Sequence, residues 1–182
     1  MSPAKLDLRA ALSRLEGLDG LESPSILLGA FEEDRPLCGA CGYCDWRLNG
    51  RLSALVRDYG FRCQTGEVVL TDTAGRLPAE RILIFGLGSR TEMDLEGFRR
   101  ALGHMLQVSH KAGLDDLAIE LPGAEAGLIE EQQAIEVLLE LACERCPGGR
   151  ITVLCPSRRF ADLLAECAGR AAGVRMLGER RD

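Results

Sequence analysis

A chain of 182 residues, 46% hydrophobic and 27% charged, has the length for one domain with a full core and is short for two. Its net charge of −6 offers no electrostatic attraction to nucleic acid or anionic lipid, and no apolar run approaches the ~20 residues that span a bilayer. The N-terminal MSPAKLDLRAALSRLEGL carries acids and lacks the apolar run of an export signal, so the expected location is cytoplasmic and the eight cysteines are expected as thiols.

In chain order, Ser2-Pro3 can cap a first helix with Leu8, Leu12 and Leu15 on one face, ended by Gly17 and Gly20. Residues 25–31 (SILLGAF) form an apolar strand, residues 32–36 a polar turn, and Gly39 and Gly42 keep the next segment in a loop. Asp45 caps a helix whose Leu48, Leu52, Leu55, Val56 and Tyr59 fall at helical spacing, with Gly60 as its stop. Trp46, the sole tryptophan, is expected to anchor this helix on the sheet or to serve as an oligomer contact.

Residues 67–71 (EVVLT) and 81–85 (RILIF) are strands joined by a turn, the second apolar enough to be buried on both faces. Gly86-Leu87-Gly88-Ser89 follows. A helix then carries Leu95, Phe98, Leu102, Met105 and Leu106 inward up to Gly113. Residues 117–121 (LAIEL) are a strand, 128–146 a long helix, 151–155 (ITVLC) a strand and 160–171 a final helix, with 174–177 as a short edge strand. The alternation of strand and helix in the second half implies a parallel sheet with helices on both faces. The short link between 67–71 and 81–85 adds an antiparallel portion. The expected fold is one three-layer α/β/α sandwich over residues 1–182 with a mixed, mostly parallel sheet.

Three groups of residues invite a chemical reading. Cys38-x-x-Cys41-x-x-Cys44, with Cys63 as a fourth donor, has the spacing with which thiolates share a zinc ion or an iron–sulfur cluster. A redox-active thiol and simple packing of small apolar side chains are the alternatives. Gly86, Leu87, Gly88 and Ser89 end a strand and precede a helix, where backbone N–H groups can face a phosphate. Thr91 stands where the third glycine of G-x-G-x-x-G belongs, and Glu92 and Asp94 bring acids to the place of the phosphate. Tight strand-to-helix packing is the competing reading. His104 and His110 lie six apart on one helix, on roughly opposite faces, and cannot share a metal.

The ordered set Asp45-Trp46-Arg47-Leu48-Asn49-Gly50-Arg51-Leu52-Ser53, Gly60-Phe61, Gly66-Glu67 and Gly86-Leu87-Gly88 resembles the N-terminal domain of the zinc-dependent leucyl aminopeptidases, most closely over residues 23–123. The resemblance implies a macro-domain-like fold. It also implies that the family's dinuclear metal site and its chemistry belong to a separate catalytic domain. Thr71-Asp72-Thr73-Ala74-Gly75-Arg76-Leu77 looks like the family's metal signature, but Ala74 stands where a glutamate ligand belongs and Pro78 follows at once. The segment reads as a hairpin turn. The expected function is therefore that of a non-catalytic module for assembly or regulation, with no cofactor, forming a homo-oligomer or docking on a separate catalytic chain. Two alternatives stand beside it: a macro-like binder of ADP-ribose or a related nucleotide, and a zinc or iron–sulfur protein built on the cysteine loop.

Overall fold

A computed structural model describes residues 5–178. Seven strands lie in one sheet: β1 (Leu6–Leu12), β2 (Ser25–Ala30), β3 (Val68–Asp72), β4 (Arg81–Gly86), β5 (Asp116–Glu120), β6 (Arg150–Cys155) and β7 (Val174–Met176). Their spatial order is β3-β4-β2-β5-β6-β1-β7. The β3–β4 pair is antiparallel and every other pair parallel. The helices are α1 (Leu15–Asp19), α2 (Gly39–Arg47), α3 (Arg51–Asp58), α4 (Leu95–Lys111), α5 (Glu131–Arg145) and α6 (Arg158–Arg170).

Strand side chains alternate between the two faces, and the sheet therefore separates two cores. Leu27, Leu83 and Phe85 point into one with Phe98, Leu102 and Met105 of α4 and Ile135 and Leu138 of α5. Ile26, Leu28, Ile82 and Ile84 point into the other with Leu18, Cys41, Cys44 and Leu52 from α1, α2 and α3. This is the three-layer, mostly parallel sandwich that the strand–helix alternation implies.

Three local expectations are corrected. The cap expected at Ser2-Pro3 lies outside the described residues. The helix expected through Leu8, Leu12 and Leu15 is instead β1 followed by the one-turn α1. Leu6 and Leu8 are both buried at a spacing of two, and β1 fills the gap between β6 and β7. The expected glycine loop is α2. There Gly42 lets the helix press on the preceding turn, since a Cβ would stand 2.6 Å from the Leu37 carbonyl oxygen. Trp46 is no anchor on the sheet: it is 63% exposed, with the Arg47 guanidinium over its ring.

Asp45 caps a helix, though from further away than its sequence position suggests. It sits inside α2, the chain turns through Asn49 and Gly50 at positive φ, and the Asp45 carboxylate accepts the N–H and Oγ–H of Ser53 in the first turn of α3. Asp45→Ala is expected to cost about 1 kcal/mol, read as a lower urea midpoint at unchanged slope; an unchanged midpoint would remove the cap from the account of α3.

Candidate functional site

The chain leaves β2 toward β3 and β4, then crosses back to β5 on the other side of β2. Such a reversal of strand order leaves a crevice at the carboxyl ends of the strands. Here it is lined by Phe31, Asp34, Cys38, Arg90, Glu120 and Glu125, among others. Its volume is about 30 Å³, room for a water molecule or two and far below the several hundred Å³ of a nucleotide pocket.

Glu120, the last residue of β5, is buried, and its Oε1 accepts the Ala40 N–H in the first turn of α2 at 2.8 Å. A carboxylate at a helix start satisfies an otherwise orphaned donor and meets the positive end of the helix dipole. Gly39 makes the approach possible: it holds φ at +59°, and a Cβ there would stand 2.3 Å from that same oxygen. Burial nevertheless pushes the Glu120 carboxyl up to about 8, with the Ala40 N–H opposing and the Glu125 charge adding to the rise. Glu120 thus spends much of its time neutral near pH 7.

Asp34 is buried as well. Its Oδ2 accepts the Phe31 N–H at 2.9 Å, and its Oδ1 accepts from the Arg90 guanidinium through Nε at 3.2 Å and through Nη2. Arg90 lies over the Phe31 ring, 5.1 Å from the centroid. The Cys38 thiol sits between the two charges, donating to Asp34 Oδ1 at 3.6 Å and receiving Arg90 Nη2 at 3.3 Å. Burial pushes the Cys38 thiol up, the Asp34 charge adds to this, and Arg90 opposes it.

The four cysteines singled out in the sequence divide. Cys38 is exposed on the crevice rim, whereas Cys41, Cys44 and Cys63 are buried in the core beneath α2. Burial raises the Cys41 and Cys44 thiols well above the usual range. Among the described residues no group of three or more His, Cys, Asp and Glu side chains is placed to hold a metal ion.

At Gly86-Leu87-Gly88 the backbone donors are spoken for. Gly86 N–H bonds to Glu67 O at 2.8 Å, Leu87 N–H to Ala30 O at 2.9 Å and Gly88 N–H to Cys63 O at 2.9 Å. The Ser89 hydroxyl donates to Glu33 at 2.6 Å, and the same carboxylate accepts the Arg90 N–H. Asp94 caps α4 by accepting the Gly97 N–H at 2.7 Å. Behind the loop lies a second cavity of about 270 Å³ bordered by Phe85, Leu87, Arg100 and His104; the His104 Nε2 is buried without a hydrogen-bond partner.

Sequence reasoning missed Asp34, Arg90, Glu120 and Glu125. One signal was available: Glu120 is a charged residue inside the otherwise apolar LAIEL, where a strand of a covered parallel sheet should be apolar throughout. The turns that fold Asp34 and Arg90 together are 56 residues apart and carry no local signature.

The comparisons agree with this frame. Residues 27–145 match the family model described as "Cytosol aminopeptidase family, N-terminal domain". A probable cytosol aminopeptidase of Geobacter sp. (strain M21) is 34% identical over 104 residues, which are 57% of this chain and 21% of that protein. One of Syntrophotalea carbinolica is 31% identical over 122 residues, 66% of this chain and 24% of that protein. The chain thus spans about a fifth to a quarter of the length of these curated relatives. Among solved structures, the Trypanosoma brucei macrodomain in complex with ADP superposes with a TM-score of 0.69 at 18% identity, covering 90% of this chain and 69% of that one. An Oceanobacillus iheyensis macrodomain mutant superposes with a TM-score of 0.66 at 13% identity, covering 87% of this chain and 89% of that one. At such identities the likeness establishes a macro-like fold.

Proposed function

Since the chain belongs to the cytosol aminopeptidase family, as its N-terminal domain, we propose that these residues form a non-catalytic module that works by docking on another protein surface, a second copy of itself or a catalytic chain. The observation that carries this reading is the contrast between the two ends of the β2–β4 region. The crevice, where a substrate would enter, is filled by the chain's own Asp34, Glu120 and Arg90. The sheet edge is open. β3 is an edge strand with Leu70 65% exposed, and Tyr59 at the end of α3 is 77% exposed. Where the end of α3 meets the start of β3 lies a groove of about 360 Å³ bordered by Leu55, Tyr59, Phe61, Val68 and Val69. Native proteins guard such edges unless a partner pairs with them.

Light scattering across a wide concentration range tests the reading, alone and with a catalytic domain of the family supplied as a separate chain. Association weakened by Leu70→Glu is the expected result. A monomer at millimolar protein that ignores the added domain would sink it.

A second reading, a macro-like binder of ADP-ribose or a related nucleotide, is favoured by the cavity behind Gly86-Leu87-Gly88, whose 270 Å³ and lining of Phe85, Arg100 and His104 suit a heterocyclic base. The related macrodomain structures are described as complexes with ADP and with ADP-ribose. The bonded N–H groups of the loop and the acids of the crevice weigh against it. Thermal shift at millimolar ADP-ribose is expected to leave the melting temperature unchanged. A ligand present at a hundred times its Kd would add about 2.7 kcal/mol, so a rise of several degrees would put the nucleotide reading first.

A further inference from the structure

We propose that Cys38 and Cys41 form a redox-active dithiol that exchanges with low-molecular-weight or peptide disulfides and closes to a Cys38–Cys41 disulfide, with Glu120 taking the proton of Cys41. This goes beyond the docking reading and does not depend on it.

Cys38-Gly39-Ala40-Cys41 is a C-x-x-C at the start of a helix within an α/β fold, the sequence setting of dithiol redox sites. Placement divides the labour between the two thiols. Cys38 is the N-cap of α2, with extended backbone at φ −127° and ψ 179°, and is exposed. Cys41 is the third helical residue and buried. The Cys38 carbonyl accepts the Gly42 N–H at 2.9 Å, so the two cysteines straddle the first helical turn. Residues three apart on a helix have Cβ atoms about 5–6 Å apart, and a disulfide needs about 3.8 Å; the non-helical Cys38 has the freedom to close the difference. Cys41 and Cys44 are also three apart, but both are held inside the helix, and a bond between them would require α2 to unwind.

The polar groups around the pair match the protons that must move. The Cys38 S–H donates to Asp34 Oδ1; burial and the Asp34 charge hold the thiol up, and Arg90 Nη2 at 3.3 Å opposes them by facing the charge of the thiolate once it forms. Glu120 reaches the same turn, with Oε1 on the N–H of Ala40, the residue just before Cys41, and burial together with the Glu120 charge holds the Cys41 thiol up. The neighbouring Cys38 rim is open to a disulfide; Cys41 is not.

The exchange balances in two steps. The Cys38 thiolate attacks one sulfur of an external disulfide; that S–S bond breaks, and the departing thiolate leaves with the electron pair and takes a proton from water. In the chains whose Glu120 is ionised, a fraction that grows as the pH approaches 8, the Cys41 S–H then gives its proton to that carboxylate, its sulfur attacks Cys38 Sγ, the mixed disulfide breaks and the second external thiolate leaves and is protonated. Two protein thiols lose two electrons and two protons, and the external disulfide becomes two thiols.

The test equilibrates the full chain with glutathione at graded ratios of oxidised to reduced form, quenches with acid, alkylates and maps the peptides by mass. Cys38 and Cys41 are expected to lose their thiols together as one intramolecular disulfide, reversed by dithiothreitol, while the other six of the eight cysteines keep theirs. Cys41→Ala is expected to stop at one glutathione per chain, carried on Cys38. Glu120→Gln keeps an acceptor for the Ala40 N–H and is expected to slow ring closure by about tenfold or more while leaving formation of the mixed disulfide unchanged. Absence of the Cys38–Cys41 disulfide at a hundredfold excess of oxidised glutathione overturns the dithiol, and that mapping needs no variant to fold. Ring closure in Glu120→Gln at the native rate overturns the role of Glu120.

Discussion

Gly86→Ala is expected to lower the stability of this protein by about 3 kcal/mol, although it adds a single methyl group. Gly86 ends β4, and the chain from Cys63 to Glu67 folds directly across it. A Cβ on Gly86 would stand 2.1 Å from the Gln64 carbonyl oxygen, 2.6 Å from the Cys63 carbonyl carbon and 2.8 Å from the Cys63 oxygen. These are backbone atoms and cannot swing aside as a side chain could. The crossing segment is also fixed from both ends: Gly86 N–H bonds to Glu67 O and Gly88 N–H to Cys63 O, and Cys63 itself already holds a φ of +64°. Overpacking of this kind costs about 1–3 kcal/mol and occasionally more. In a chain of this length each kcal/mol lowers the melting temperature by about 2–4 °C, so a fall of about 6–12 °C is expected. Gly169→Ala is the control. Gly169 lies in α6 with nothing within 4 Å of a built Cβ, and alanine there is expected to stabilise by about 0.5 kcal/mol. Equal effects from the two substitutions would show that the close crossing at Gly86 does not exist.

The same contact shows how far the sequence could be read. Gly86-Leu87-Gly88 after an apolar strand is visible in one dimension, and both a phosphate cradle and close packing predict it. What decides between them is the segment about 20 residues upstream, whose Glu67 and Cys63 carbonyls take the Gly86 and Gly88 N–H groups, with Ala30 of β2 taking that of Leu87. Local signals worked where local physics dominates: the run of buried residues in 81–85, the helical stripe from Phe98 to Leu106, the Asp72 turn whose carboxylate accepts the Ala74 N–H at 2.9 Å. They failed at β1, where Leu8, Leu12 and Leu15 satisfy a helical spacing while Leu6 and Leu8 satisfy a strand's, and only the gap between β6 and β7 chooses. They failed again at α2, where two glycines that look like helix breakers are the residues that let Glu120 and the Leu37 turn come close. The crevice was the least legible part, because its charged groups come from Asp34, Arg90, Glu120 and Glu125 and meet only once the sheet order reverses.

Glu120→Gln is expected to remove most of the fall in stability that the native protein shows between pH 5 and pH 8, and to leave the variant the more stable of the two above pH 8. The sign follows from which state holds the proton. The Glu120 carboxyl keeps its proton up to about pH 8 when folded, because burial penalises the charged form, and its ordinary value is 4.5. Between these limits the folded chain binds more protons than the unfolded one, so stability declines as pH rises, by up to about 1.4 kcal/mol per pH unit. The contribution is fully present below the unfolded value and gone above the folded one. Burial raises the Glu125 carboxyl too, so it acts with the same sign and is common to native and variant, whereas the carboxylates held by donors act in a different window and with the opposite sign. Arg175 holds Asp7 below its usual range, Ser89 does the same for Glu33, and Arg51 for Asp72; the stability these add is lost as pH falls, at the acid end. The amide of the Glu120→Gln variant cannot ionise, and its oxygen still accepts the Ala40 N–H, so the difference between native and variant isolates this one carboxyl. Urea unfolding from pH 5 to pH 9 measures it. Parallel curves would mean that Glu120 is ionised throughout and balanced by the start of α2 alone; curves that cross mean that the crevice of this fold is built around a carboxylic acid that stays neutral until the pH approaches 8.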